Sequence, residues 1–307
     1  MDLHNIYMSS FLSIKIIYVY DKLKHIIMLL KHSMITIELM GGLGNQLFQI
    51  FAVIGYSYSY YTPFFLEQKG LSIGWRKTLY WDTFLSSLRP YLKPDIVNLR
   101  YYRDPHFHFT KIPCLGNNDF KLLGYFQSYK YFDDYKKEIF GLIDLDKKKT
   151  ELREKVAIDE NNTISMHFRL GDYKKIQEHH PILPLNYYKT ALHKVCNMSG
   201  KNDWNILYIC EDQDISHVNE SINELRCLFP SLKFERLEGG FADWEQLLAM
   251  SICRHNIIAN STFSWFGAYF NTRPDKLVYY PNIWFGPAQG EKNMEDLFPD
   301  NWQKITV

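Results

Sequence analysis

Thr163-Ile164-Ser165-Met166-His167-Phe168-Arg169-Leu170-Gly171-Asp172-Tyr173 begins as a strand and ends as a loop. The run from Thr163 to Met166 is β-branched and apolar, which predicts a buried strand, and Gly171 permits a turn behind it. If the strand continues to residue 169, the side chains of His167 and Arg169 share one face. Downstream, Trp204–Cys210, Lys233–Leu237, Asn256–Ala259 and Leu277–Tyr280 read as further strands. Between them, Tyr187–Val195 (with Asn186 as its N-cap), Ile215–Leu228, Trp244–Cys253 and Ser264–Phe270 read as helices. Alternating strand and helix predicts a doubly wound parallel sheet, with ligands at the carboxyl ends of its strands.

Upstream, Met34-Ile35-Thr36-Ile37-Glu38-Leu39-Met40 reads as a first strand. It leads into Gly41-Gly42-Leu43-Gly44-Asn45-Gln46-Leu47-Phe48-Gln49, and Leu47–Tyr60 then reads as a largely apolar helix buried against a sheet. Residues 62–140 are aromatic with few clean periods, and the charged stretch Asp144–Lys155 reads as a solvated helix or a hinge. The expected division is a 34–150 N-terminal half and a 151–307 C-terminal half, preceded by an extension, 1–33, of doubtful status. In that extension Lys15, Asp21, Lys22 and Lys24 interrupt the apolar residues, leaving the segment too broken for a membrane span of about 20 residues.

Bulk composition narrows the function. The 307 residues carry 35 basic and 34 acidic side chains, a net charge of +1, which argues against a nucleic-acid partner or a membrane surface held by charge. The 5 cysteines are scattered without zinc-type spacing and read as reduced thiols of a cytoplasmic protein. Sequons at Asn161, Asn197, Asn219 and Asn260 read as chance occurrences, because a glycan on Asn260 would block the third motif described below.

Three strings carry the chemistry. Glycines 41, 42 and 44 allow a sharp turn and a close approach, the helix behind them favours negative charge, and Asn45 rides on that turn. Their spacing is not that of a nicotinamide-binding loop. In the second string Arg169 suits forked recognition of a phosphate, and Asp172 can fix it or the loop. The third, Asn260-Ser261-Thr262-Phe263-Ser264-Trp265-Phe266-Gly267, sets hydroxyls and helix-start N–H groups into an anion cradle. Each string also has a reading without a ligand: a tight turn, a structural Arg–Asp pair and a plain helix cap. Glu211-Asp212-Gln213-Asp214 is either a cation site for a nucleotide diphosphate, built on Asp212 and Asp214, an acceptor of guanine or ribose hydrogen bonds, or an acidic helix start.

The GGLGNQLFQ opening, the HxRxGDY string and HNIIANSTFSWFGA resemble the α-1,2-fucosyltransferases of glycosyltransferase family 11, with local similarity from about residue 35 to 285 and a Trp284-Phe285 pair like the family's C-terminal pattern. The resemblance implies an α/β, GT-B-like fold of two Rossmann-like domains with parallel sheets. It implies a metal-independent, inverting transfer of L-fucose from GDP-β-L-fucose to the 2-hydroxyl of a galactose-like sugar, with no further cofactor and with a glycan acceptor as partner. Arg169 would contact the diphosphate, His167 would lie near the nucleotide, Ser261, Thr262, Phe263 and Ser264 would line the phosphates, and Gly42 and Asn45 would face the reaction centre. Glu211, Asp212 and Gln246 are the candidates for reading guanine. Asp172 and Asn45 are the candidates for the catalytic base. Where the family usually has a second arginine this chain has Leu170, and no tryptophan follows Cys210-Glu211-Asp212 closely. Rival readings are a metal-dependent transferase using Asp212 and Asp214, and a catalytically inactive sugar- or nucleotide-binding protein.

Overall fold

A computed structural model describes residues 33–68, 79–94, 99–116 and 118–307. The N-terminal segment 1–32 lies outside the described residues, so its reading as an extension stands as an expectation. Among the described residues every strand pairing is parallel. The C-terminal sheet comprises β6 (Thr163–His167), β7 (Asn205–Ile209), β8 (Lys233–Arg236), β9 (His255–Ile257), β10 (Val278–Pro281) and β11 (Gln303–Ile305). Its order, β11-β10-β9-β6-β7-β8, means the chain winds outward from β6 to β8, returns to the centre at β9 and winds outward again to β11. That is the order of a dinucleotide-type sheet, whose crevice opens where the winding reverses, between β6 and β9.

The N-terminal sheet is smaller and more irregular. β1 (Ile35–Ile37) pairs with β5 (Phe120–Leu123), which pairs with β4 (Arg100–Arg103). On its other side β1 bonds to the segment entering β2 (Leu66–Glu67), through Ile35 N–H to Pro63 O at 2.9 Å and Phe65 N–H to Ile35 O at 3.0 Å. β2 in turn pairs with β3 (Leu92–Lys93). Here the winding reverses between β1 and β5. The expected α/β architecture of two parallel, Rossmann-like sheets is borne out, including strands β2 to β5, which lie in the stretch with no legible period.

Three readings of helices are corrected. The helix after the glycines, α1, runs Leu43–Tyr60 rather than from Leu47, because Gly42 is extended and caps it. In the described residues α2 (Lys136–Leu142) and α3 (Leu145–Arg153) follow. Segment 144–155 is therefore no hinge: Leu145 and Leu152 enter the core, and Lys149 is buried with its Nζ on the carbonyl of Phe270. α4 (Leu185–Ser199) starts ahead of Asn186 and is capped by extended Pro184. α5 (Ile215–Leu228), α6 (Asp243–Ile252) and α7 (Thr262–Tyr269) complete the set. Lys276 Nζ donates to Ala268 O at 2.6 Å, so Lys149 and Lys276 close the carbonyl end of α7, where cations suit the helix dipole.

α1 and α7 pack on each other and join the halves. Phe48 lies 4.5 Å from Trp265 and 4.8 Å from Phe266, ring centre to ring centre, and Phe51 lies 5.4 Å from both Phe132 and Phe266. All five rings are essentially fully buried, so a continuous aromatic core lies behind the cleft. Among the described residues no helix is long and apolar enough to cross a membrane.

Candidate active site

The loops at the two winding reversals face each other. Gly41–Asn45 follows β1, Gly124–Gln127 follows β5, Phe168–Tyr173 follows β6, and Ile258–Thr262 follows β9. Asn45 joins three of them. Its Oδ1 accepts from Thr262 Oγ1 at 2.9 Å and from Gln127 Nε2 at 2.9 Å. With both bonds on the amide oxygen, Asn45 presents an N–H donor to the cleft and no proton acceptor, which removes the chemical basis for using it as a base. Thr262→Val, which deletes one of those donors, is expected to lower kcat about three- to tenfold, the worth of one hydrogen bond, while steady-state donor KM changes little. Equal kcat in the two proteins would contradict this role.

Glycine is used here for approach between helices. A Cβ on Gly44 would lie 2.3 Å from the carbonyl carbon of Thr262, so the amino ends of α1 and α7 meet backbone to backbone. Gly41 has φ +77°, a left-handed conformation that lets the chain turn beside Asn45. Gly42 caps α1. Two positive helix ends thus converge on one point, as an anion site requires.

Arg169 lies just past β6, with its side chain 13% exposed. Its fork is held by two carboxylates, Nη1 to Glu211 and Nη2 to Asp172, and its guanidinium sits 4.9 Å above the Tyr173 ring. These carboxylates occupy the positions that phosphate oxygens would take on a forked guanidinium. Gly171 N–H and Lys174 Nζ both bond Asp214, at 2.6 Å each, so buried Asp214 pins the loop that aims Arg169. Asp212 pairs instead with Arg236. Asp212 and Asp214 therefore serve different cations, and no group of three or more metal-type ligands occurs among the described residues. Leu170 packs into the apolar core of the C-terminal sheet.

His167 is buried beside Phe263, ring centres 5.5 Å apart, and burial, reinforced by Arg169, holds its imidazole neutral with a pKa pushed down to about 3. His255, burial-shifted to about 4, accepts from Leu277 N–H through Nδ1 at 3.0 Å. Both pKa values lie below the ordinary 6.5, so the stability each contributes is complete above that pH and lost as pH falls towards 4. His255→Asn, which keeps an acceptor, is expected to lose less melting temperature than the parent between pH 7 and 4.5; an identical loss would refute this assignment.

The other predicted residues divide. Ser261 caps α7, accepting from Phe263 N–H at 3.4 Å, and Thr262 meets Asn45. Ser264 is fully buried and its hydroxyl turns back to Ala259 and Ser261, so the structure leaves it out of the cleft. Gln246 donates to Phe241 O at 2.9 Å within the first turn of α6, and Glu245 pairs with Lys155, also outside the cluster. Gln127 escaped the sequence reading. The available signal was its place just after the apolar run Leu122–Leu123 and Gly124, a strand-to-turn pattern hidden in an aromatic stretch.

Two parallel sheets with their winding reversals brought together, and an arginine and two helix amino ends there, are the GT-B-like architecture with an anion site at its cleft. The model of the family described as Glycosyl transferase family 11 matches residues 11–306, and the chain belongs to that family. Two proteins of Escherichia coli are similar to it. The O-antigen biosynthesis glycosyltransferase WbnK is 28% identical over 202 residues, spanning 60% of this chain and 60% of WbnK. An alpha-1,2-colitosyltransferase is 26% identical over 300 residues, covering 89% of this chain and 99% of that one. Among solved structures, a family 9 glycosyl transferase of Veillonella parvula covers 91% of this chain and 87% of its own at a TM-score of 0.47 and 11% identity, a likeness too coarse to place residues.

Proposed function

We propose that this glycosyltransferase moves L-fucose from GDP-β-L-fucose to the 2-hydroxyl of a galactose-like glycan, inverting the anomeric centre and needing no metal. The observation that carries the proposal is Arg169 just past β6 at the β6–β9 reversal, stacked on Tyr173, whose hydroxyl bonds Asn260 O beside the paired amino ends of α1 and α7. The C-terminal half, 151–307, holds GDP, and the N-terminal half, 34–150, holds the acceptor. When donor enters, its diphosphate takes over the guanidinium fork from Glu211 and Asp172. As the C1–O bond breaks, the electron pair passes to the β-phosphate oxygen, where Arg169 and the helix-end N–H groups stabilise the growing charge. Asn45 supplies a further donor from the opposite wall. Glu211, once released, is placed to accept hydrogen bonds from the nucleoside.

The colitosyltransferase relative makes a second donor worth testing, because colitose is fucose without its 3-hydroxyl. The protein should be offered GDP-L-fucose and GDP-colitose with a panel of galactosides, and the product read by NMR. An α-anomeric proton and a substituted C2 on the acceptor are expected; a β-anomer or another substituted carbon would overturn the inverting 1,2-transfer. The metal-dependent reading through Asp212 and Asp214 predicts that a chelator abolishes product, and the inactive-binder reading predicts GDP binding with no product on either donor.

A further inference from the structure

The reaction so described still lacks an acceptor for the proton of the attacking hydroxyl, and before donor binds each of the C-terminal carboxylates described above is paired with a cation. Asp172 and Glu211 hold Arg169, Asp214 holds the Gly171–Lys174 loop, and Asp212 holds Arg236. The opposite wall carries a different carboxylate. Asp104 is the residue immediately after β4, at the carboxyl end of the N-terminal sheet and next to the turn that follows β5. The two strand tips touch: a Cβ on Gly124 would lie 2.3 Å from Asp104 Cβ.

The carboxylate is oriented by neutral groups. Phe126 N–H donates to Oδ2 at 3.1 Å, and Tyr131 Oη donates to Oδ1 at 3.4 Å. Tyr131 Oη itself accepts from Thr110 N–H at 3.2 Å, which turns the phenolic proton toward Asp104. The titratable groups facing it are Tyr131 from a neighbouring element, Tyr102 on β4, the strand Asp104 follows, and His106 on its own loop, whose backbone N–H also bonds the carboxylate. Among the described residues no lysine or arginine pairs with it, and a carboxylate with two oxygens keeps lone pairs for a further partner.

Its own loop and the turn after β5 beside it each reach the donor side. One residue beyond Phe126, Gln127 grips Asn45, which Thr262 grips from the other half. Three residues beyond Asp104, Phe107 meets Phe285 edge-on, with centres 5.0 Å apart. From Phe285 a line of rings runs through His180 (5.7 Å) and Tyr173 (4.8 Å) to the guanidinium of Arg169. Asp104 is thus linked to two of the places where the N-terminal half touches the donor half, through Phe126 and the neighbouring Gln127 on one side and through Phe107 on the other.

We infer that Asp104 is the catalytic base of this transferase, taking the proton from the acceptor hydroxyl as that oxygen attacks C1 of the sugar. The inference rests on the transferase reading above. One C–O bond forms from the hydroxyl's lone pair, the C1–phosphate bond breaks with its pair leaving on GDP, and the proton passes to the Asp104 carboxylate and then to water. Partial burial, opposed by its hydrogen bonds, pushes the Asp104 pKa up to about 6, close to where a base is both ionised and basic near neutral pH.

The test uses the full chain with GDP-L-fucose and a responding galactoside. Asp104→Asn keeps the shape and an acceptor for Phe126 N–H. It is expected to lower kcat about a hundredfold or more while GDP affinity, read by calorimetry, stays within about twofold. The parent's kcat/KM should rise with pH through about 6 and level off, and formate should restore turnover to Asp104→Ala. Tyr131→Phe removes a hydrogen bond that favours the ionised form, so it should move that acid limb to higher pH. It keeps the test open if Asp104 variants do not fold. An active parent with an equally active Asp104→Asn, or a limb unmoved in Tyr131→Phe, overturns the inference alone. A parent that transfers nothing to any acceptor overturns the transferase reading, and this inference with it.

Discussion

Arg169→Ala is expected to lower turnover by about a hundredfold or more, the scale seen when one preorganised donor to a developing oxyanion is removed. The effect should exceed the loss of a single contact. In the structure the guanidinium neutralises both Glu211 and Asp172 at the mouth of the cleft, and without it the two carboxylates would face a diphosphate directly. Donor binding should therefore weaken along with kcat, and raising the salt concentration should recover part of the binding but little of the turnover. Arg169→Lys retains the charge but not the fork, so it should bind donor better than the alanine variant while remaining well below the parent. Steady-state kinetics at two ionic strengths separates these effects. Near-normal turnover by Arg169→Ala would remove the arginine from the chemistry.

Gly44→Ala is the second large effect. The added methyl would sit 2.3 Å from the backbone of Thr262, a distance no rotamer can relieve, so α1 and α7 must part. Parting them disturbs the Phe48, Trp265 and Phe266 cluster behind the cleft and pulls Asn45 away from Thr262. Overpacking of this kind costs about 1–3 kcal/mol and more when only backbone can yield. A drop of several degrees in melting temperature with loss of most activity is expected, since both halves of the cleft are displaced at once. Gly141→Ala is the matching control, because Gly141 is helical like Gly44 and its Cβ would meet nothing within 4 Å. If Gly44→Ala melted with the parent, the close approach of the two helix ends would not be real.

The parts of the fold that could be read from the sequence are those in which a single residue pattern determines the outcome. Strands β6 and β7 are buried, so their apolar residues stand out, β9 is marked by Ile257-Ile258-Ala259 at its end, and α5 begins and ends where the pattern of apolar and polar residues places it. The N-terminal sheet is different. β4 is Arg100-Tyr101-Tyr102-Arg103, mostly exposed at the sheet edge, and no apolar alternation marks it. In the same way Lys148 and Lys149 read as a solvated charge run, whereas both are buried, Lys148 on Ile143 O at 2.8 Å and Lys149 on the end of α7. Charge pattern alone carries no information about a helix end formed some 120 residues later in the chain.

The site followed the same division. Arg169, Asn45, Thr262 and Ser261 were marked by glycines and hydroxyls next to strands, a local signal that survives in one sequence. Gln127 and Asp104 matter because β5 pairs with β1 and β4 lies beside β5, and that adjacency is a property of the sheet order rather than of any string. Ser264 carried the same local signal as Ser261 but turns inward, because Ser261 is the extended N-cap residue whereas Ser264 lies inside the first turn of α7 with its hydroxyl bonded back to the Ala259 and Ser261 backbone.

The most direct test of the central claim is GDP release from GDP-L-fucose by the full chain, measured with and without galactosides and in the presence of a chelator. Release that depends on the acceptor and persists in the chelator is the predicted result. Release that stops when divalent cations are removed, or GDP binding with no release on any acceptor, would contradict an arginine-based transfer at this cleft.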